Sequence, residues 1–566
     1  MNNKIFIAAP AAMAMVLLCG CTKKQGNFDS SYFNTVPTPL ETVGENVPAT
    51  VNGSLPAKFM QKNAKVTATP VLVWNGADAS QVSAAGQPVI FQGEDVRANG
   101  QVVSYKNGGP VTVPFNVAYQ PGMEKSELFL DFNVDQKGKL YTLPRVKVGY
   151  GVVSTSTLAS AATVKPAIAP DNFQKIITQK YSADIHFLIN QANVRASQTD
   201  KPDYIDLNKK LIEASQAPNQ EIAGLTVNSY ASPEGNYKFN EQLAQKREQN
   251  TQSYLENQLK KDKITEFGEL TSSFTPEDWE GFQKLVEKSN IQDKDLILSV
   301  LKMYPDPEQR EKEIRNLSAV FNELADQILP QLRYSRVMAT INVIGKSDQE
   351  LINLFNTDPQ KLTADEMLYV ATLTDDNTRK MAMYKEATRI FPTDYRGYNN
   401  LGMTQYQAGD YQAARASFQK ALQLNPQSKE AEMNMGLLAL LDGKYSDANA
   451  RIGQAAGLPE AADALGVYYL TQGETSKALK AFGSAKTNNA ALAQILAKDY
   501  AAARNTLSAI DTPDATTYYL TAILGARQNN ENMVMSNLRQ AVRLDSKLLN
   551  RAKNDLEFAA YNISYL

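Results

Sequence analysis

The sequence predicts a chain of three folded parts: a β-rich N-terminal region, an α/β middle and an all-helical C-terminal repeat. Three observations carry this. Between residues 51 and 153 apolar residues alternate with polar ones, and glycine-containing turns separate the runs. In the middle, a strand led by Val227 meets a Gly235-Asn236 turn and then a helical stretch. Beyond residue 362, glycine, alanine and aromatic residues recur at a fixed interval. With 566 residues the chain is long enough for several cores.

Composition excludes more than it suggests. The formal charge is -2, from 58 Lys plus Arg against 60 Asp plus Glu, so there is no basic surplus for nucleic acid. His186 is the only histidine, and Cys19 and Cys21 are the only cysteines. A serine triad would have to use His186, and a zinc site could draw on one imidazole at most. Ile185, Phe187 and Ile189 alternate around His186, which places it on the polar face of a strand. No catalytic residue, metal site or cofactor is expected.

Lys4 and the apolar run 5–18 form a secretory leader too short to span a bilayer. The run ends Leu18-Cys19-Gly20-Cys21, which resembles the bacterial lipobox. The resemblance implies that Cys21, preceded by the small Gly20, is diacylated and becomes the mature N-terminus, with residues 1–20 removed. Acyl chains at about 0.8 kcal/mol per buried methylene make a stable tether. The lipoprotein resemblance further implies sorting to the outer membrane, on its periplasmic face, since Thr22 is not the aspartate of the family's inner-membrane retention signal and no acidic cluster follows. Residues 21–50, with Ser, Thr and Pro and no periodicity, read as a flexible spacer.

Residues 51–153 read as a β-sandwich. Strands are expected over 66–74, 111–117 and 145–150, with turns at Asn75-Gly76, Asn99-Gly100, Asn107-Gly108-Gly109 and Lys137-Gly138. Residues 154–170 read as the linker that follows.

The middle, 171–346, carries Ala223-Gly224-Leu225-Thr226-Val227-Asn228-Ser229-Tyr230-Ala231-Ser232-Pro233-Glu234-Gly235, then Asn240-Glu241-Gln242-Leu243-Ala244-Gln245-Lys246-Arg247. Asn236 can cap the helix, on which Phe239, Leu243, Tyr254, Leu255 and Leu259 are expected near one face and Asn240 and Arg247 on one side. The segment resembles the OmpA-like peptidoglycan-binding domain. That resemblance implies a clamp in which an aspartate holds the ammonium, and an arginine the carboxylate, of the wall peptide's diaminopimelate. Arg247 matches the arginine, but Ser232 stands where the aspartate should be, with Glu234 two residues on as a substitute. Strands are expected over 267–274 and 333–344. The segment between them, about 276–329, reads as inserted helices and resembles insertions in envelope proteins of the Bacteroidetes.

In the C-terminal part, Pro392 and Pro426, and Gly402 and Gly436, recur at one interval of about 34 residues. Tyr398, Leu401, Gly402, Tyr411, Ala414, Phe418, Ala421 and Pro426 resemble the tetratricopeptide (TPR) consensus, and further units follow to a capping segment at 548–563. The resemblance implies an all-α solenoid over 362–566. In such arrays Asn399, Met403, Tyr406, Met433, Leu437, Leu440, Asp463, Val467 and Leu470 line the concave groove, which would be largely apolar and suited to a hydrophobic peptide. The function expected is a non-enzymatic envelope scaffold that takes a protein partner in this groove. A peptidoglycan anchor and an assembly factor for exported surface proteins are the alternatives.

Overall fold

The computed structural model describes residues 24–566 except Ala77, Gln292, Leu317 and Leu566. Cys19, Gly20 and Cys21 therefore lie outside the described residues. The chain forms two compact units. One combines the residues up to Pro170 with Thr374–Leu566, and the other is Asp171–Leu373.

The first unit opens with a sheet-rich region. A three-stranded sheet has the order Phe33–Val36, Asn46–Leu55, Gly109–Ala118. A larger sheet runs Lys139–Tyr150, Glu127–Gln136, Ala64–Asn75, Val89–Gln92, Gln101–Val102, with Gln81–Ala85 also paired to Ala64–Asn75. The alternation read from the sequence is what builds the core. In Ala64–Asn75 every second residue is buried, so Ala64, Val66, Ala68, Leu72 and Trp74 meet Val47, Val51 and Val113 of the other sheet. The expected spacer differs from the structure, because strands begin at Phe33 and Phe28 stacks on Phe132 with ring centroids 4.0 Å apart. An aromatic residue that finds such a partner buries more apolar surface than a solvated linker can, and this orders residues without periodicity.

The same unit contains stacked helical hairpins. Their first helices are Tyr395–Gln407, Lys429–Leu441, Pro459–Thr471, Asn488–Leu496 and Ala515–Arg527. The second helices are Tyr411–Leu424, Tyr445–Gln454, Thr475–Phe482, Tyr500–Ser508 and Glu531–Leu544. Small residues set the spacing within each pair: a Cβ on Gly402 would lie 2.6 Å from Phe418, and one on Gly466 2.4 Å from Phe482. Leu548–Asn554 and the turn Leu556–Phe558 close the array, with Phe558 edge-on to Tyr519. The sheet region packs on the hairpins. Gly44, at φ +61°, approaches Thr471 and Gly473 so closely that a Cβ would sit 2.3 Å from the Thr471 carbonyl oxygen.

The second unit holds a four-stranded sheet ordered Ile176–His186, Tyr334–Ile344, Gln220–Tyr230, Glu269–Thr275, in which only the last pair is parallel. Helices Pro202–Gln216 and Tyr237–Lys261 bury Leu207, Leu211, Leu255 and Leu259 against Ile185, Val227, Val337 and Ala339. Asn236 caps the second helix by accepting from the Lys238 N–H. Phe239, expected on the packed face, is instead exposed, and the buried stripe is Asn240, Ala244, Arg247, Thr251, Leu255 and Leu259. Its N-terminal half is thus polar. Between the last two strands in sequence lie Trp279–Lys288, Lys294–Met303, Pro307–Asn316 and Ser318–Gln327, with a core of their own around Phe282, Ile297 and Leu324.

Candidate functional site: the concave groove of the repeats

The groove positions come from the first helix of each hairpin, and all are buried: Asn399, Met403, Tyr406, Met433, Leu437, Leu440, Val467 and Leu470. Asp463 stands at the matching place in the third hairpin and is half-buried. What covers the groove is residues 154–170, the segment read as a linker. Ala161, Val164 and Ala167 belong to the same core as Tyr406, Met433, Leu437 and Val467.

The grip on this strap is made by asparagines. Asn434 Oδ1 accepts the Ala167 N–H at 2.7 Å while its Nδ2 donates to the Ala167 carbonyl at 2.8 Å. Asn400 does the same to Ala169, at 2.8 and 3.0 Å. Asn489 does it to Ser160, at 3.0 and 2.9 Å, and also donates to Thr163. Asn399 donates to the Ala167 carbonyl and to Asn400, and Asn434 donates back to Asn399, so the amides brace one another. A side-chain amide sets a donor and an acceptor side by side, as a neighbouring β-strand does, and so satisfies the main chain of a residue without reading its side chain, while its second N–H is free to brace a neighbour.

These asparagines occupy one position of the repeat. Each lies at the same offset before a left-handed residue that ends its helix: Asn400 before Gly409, Asn434 before Gly443, Asn489 before Lys498. The matching residue before Gly473 is Ala464, where the ladder lacks a rung. The strap responds there. Between Ser160 and Ala167 it turns through Ala161–Thr163, and the Tyr406 hydroxyl donates to the Ala161 carbonyl at 2.6 Å. Burial pushes the Tyr406 phenol well above its ordinary range. The strap runs against the order of the hairpins, with its start held at the C-terminal cap. Arg551 donates to the Ser154 carbonyl and to Thr157, and Thr155 donates to Glu557, which Arg527 pairs at 2.6 Å.

The expectation of an open apolar groove is therefore corrected on two points. The apolar residues are the floor under a strap, and the groove's polar contacts come from the Tyr406 hydroxyl and from asparagines, of which only Asn399 was expected there. Asn400, Asn434 and Asn489 were missed, although their common offset before Gly409, Gly443 and Lys498 is a signal that aligning the units would have exposed.

In the second unit the other expected site residues do come together. Arg247 is fully buried. Its Nε donates to the Gln191 carbonyl at 3.0 Å, its Nη1 to the Tyr230 carbonyl at 2.8 Å and its Nη2 to the Leu188 carbonyl at 3.4 Å, and it lies over the Phe187 ring. Burial, helped by the nearby Arg333, lowers its pKa to about 10. Ser232 donates to Glu234 Oε1 at 2.8 Å, and Glu234 forms a two-pronged ion pair with Arg333 at 2.9 and 2.8 Å. Asn240 donates to the Gly235 carbonyl and to Glu277, whose carboxyl burial pushes up. Arg247 thus holds loop carbonyls rather than a carboxylate, and Glu234 is already neutralised. Arg333 and Glu277 were not expected in this cluster, and nothing in their sequence neighbourhood marks them. His186 ends its strand opposite Tyr334, and burial lowers its pKa. Among the described residues no group of His, Cys, Asp and Glu could hold a metal ion, and no helix is long and apolar enough to cross a membrane.

The tetratricopeptide repeat family model matches residues 395–428. Among solved structures, one of the APC/C hetero-tetramer Cut9–Hcn1 is 15% identical over 37% of this chain, with a TM-score of 0.33; the chain spans 45% of that one's length. A tetratricopeptide repeat protein from Parabacteroides merdae is 13% identical, covering 36% of this chain and 88% of its own, with a TM-score of 0.29. PilF of Pseudomonas aeruginosa is 15% identical, covering 38% and 99%, with a TM-score of 0.28. No curated protein matches the chain. The hairpin over residues 395–428 matches the tetratricopeptide repeat, and the hairpins stacked after it complete a C-terminal helical repeat region.

Proposed function

We propose that this chain is a non-enzymatic scaffold of the bacterial cell envelope, lipid-tethered through Cys21 at the periplasmic face of the outer membrane, whose repeat groove takes a protein partner. The observation that carries the reading is the asparagine ladder. It is a built site for main chain, in which the strap's Ala161, Ala167 and Ala169 are buried. The tether rests on Gly20-Cys21 after an apolar leader, and the envelope location rests on the tether. We read the second unit as OmpA-like on the strand, capped helix and inward Arg247 that its sequence and fold share with that family's layout. Wall anchoring is the weaker reading, since Arg247 and Glu234 already have partners inside the unit. An assembly role for exported proteins would use the same groove with a transient client.

The test is photo-crosslinking in cells from a photoreactive group at position 406 on the groove floor, which any segment seated in the groove must cover. A covalent adduct with an envelope protein is the expected result. Adducts confined to the chain itself would overturn the groove reading, and binding of purified sacculi by the whole chain would move the wall reading ahead.

A further inference from the structure

We infer that residues 154–170 are a built-in competitor for the groove. The array takes, in trans, an extended segment with small side chains spaced as those of Ser160, Ala167 and Ala169, and it does so only when the strap is displaced. This rests on the groove being the partner site and adds how that site is regulated and what it selects.

The chemistry of the grip leads there. Apart from the bond from Asn489 to the Thr163 hydroxyl, the ladder bonds go to strap main chain, so another segment that follows the same path can make them. Selection is steric. Ala161, Val164, Ala167 and Ala169 point into the groove and are buried, whereas Lys165 and Ile168 point away from it. A competing segment therefore needs small residues on its inward side and is free on its outward side.

The strap is also held unevenly. Two rungs fix Ala167 and Ala169 at one end, one fixes Ser160, and Ala464 leaves the stretch between with no rung. A segment arriving at the Asn400–Asn434 end can take two rungs before the rest of the strap lets go. Both strap ends continue into folded chain, which gives it an effective concentration of roughly millimolar. A free segment with the same contacts then sees a groove that is nearly always filled. Its apparent affinity falls by the fraction of molecules with an open groove, a loss of about 100-fold for a segment whose own Kd is about 10 μM.

The test uses the full chain and a fluorescent peptide of its own residues 157–170. Ala167→Arg with Ala169→Arg puts two long cations where the groove admits only methyl groups, and so expels the strap. That variant should bind the peptide about 100-fold more tightly than the wild type does. Adding Asn400→Leu and Asn434→Leu should abolish the binding. Equal binding by wild type and variant would overturn the inference, as would a cooperatively melting variant that ignores the peptide, or binding indifferent to both asparagines. If the variant has lost its cooperative melt, restoration by added peptide supports the inference. Failure to restore it means that the strap is irreplaceable core, and the inference falls. Peptide binding without a crosslinked partner in cells would leave the competitor standing and remove the partner reading instead.

Discussion

Asn434→Ala is the sharpest probe of the strap. The side chain is fully buried and makes three hydrogen bonds, two to Ala167 and one to Asn399. Truncation does not orphan the Ala167 carbonyl, which still accepts from Asn399 at 3.1 Å. It does strand the Ala167 N–H and the Asn399 Oδ1 away from water. An unsatisfied buried polar group costs roughly 1–3 kcal/mol, so with some relaxation the loss should total about 3 kcal/mol. A cooperative unit of several hundred residues gains about 2.1 cal/mol/K per residue on unfolding, so the midpoint should fall by roughly 4 °C. Calorimetry, checked against urea denaturation, measures both. Asn377→Ala is the control, because it removes one bond to the Thr404 carbonyl in the same array and should cost about 1 kcal/mol. Equal losses from the two variants would mean that the strap does not occupy the groove in solution.

Three other outcomes follow from the same reasoning. Cys21→Ser should release the protein from membranes and Cys19→Ser should not, as fractionation with acyl labelling would show; retention of Cys21→Ser would remove the tether. Ser232→Asp looks from the sequence like a restored clamp, yet the hydroxyl it replaces lies 2.8 Å from Glu234 Oε1. The new carboxylate should therefore destabilise the second unit by about 1–3 kcal/mol at neutral pH, and melts should show the deficit shrinking on acidification as the pair takes up a proton. Burial raises the Asp555 carboxyl above its usual range. Because a raised acid weakens the fold as pH rises through its titration, Asp555→Asn should gain stability relative to wild type as pH rises above the ordinary carboxylate range. A difference that stays constant with pH would count against it.

Much of the architecture was legible because its causes are local. Alternation along residues 64–75, the Asn236 cap and the recurrence of Gly402 at Gly436 each act within a few turns or one repeat. The segment 154–170 was not legible. Its alanines and prolines have no periodicity, and what orders them are asparagines that lie hundreds of residues away in sequence. The second cluster was half legible. Asn240 and Arg247 were expected on one side of a helix and are, but that Arg247 would be engaged by the carbonyls of Leu188, Gln191 and Tyr230 depends on loops that the helix pattern does not describe.

The strap also sets the order in which this chain can mature. Residues 154–170 are synthesised early, and the helices that receive them come last, with the whole of Asp171–Leu373 in between. Each hairpin can form from neighbours in sequence, which is fast, but closing the groove joins residues 231 to 402 positions apart. Until Asn489 and the cap around Glu557 exist, the strap has no seat at one end and the groove no cover. A chain shortened by its last two hairpins would therefore expose apolar surface at both places at once, on a sheet-rich region already made and on repeats otherwise intact. Completeness of the C-terminus is in this sense reported at residue 160, long after that residue was made.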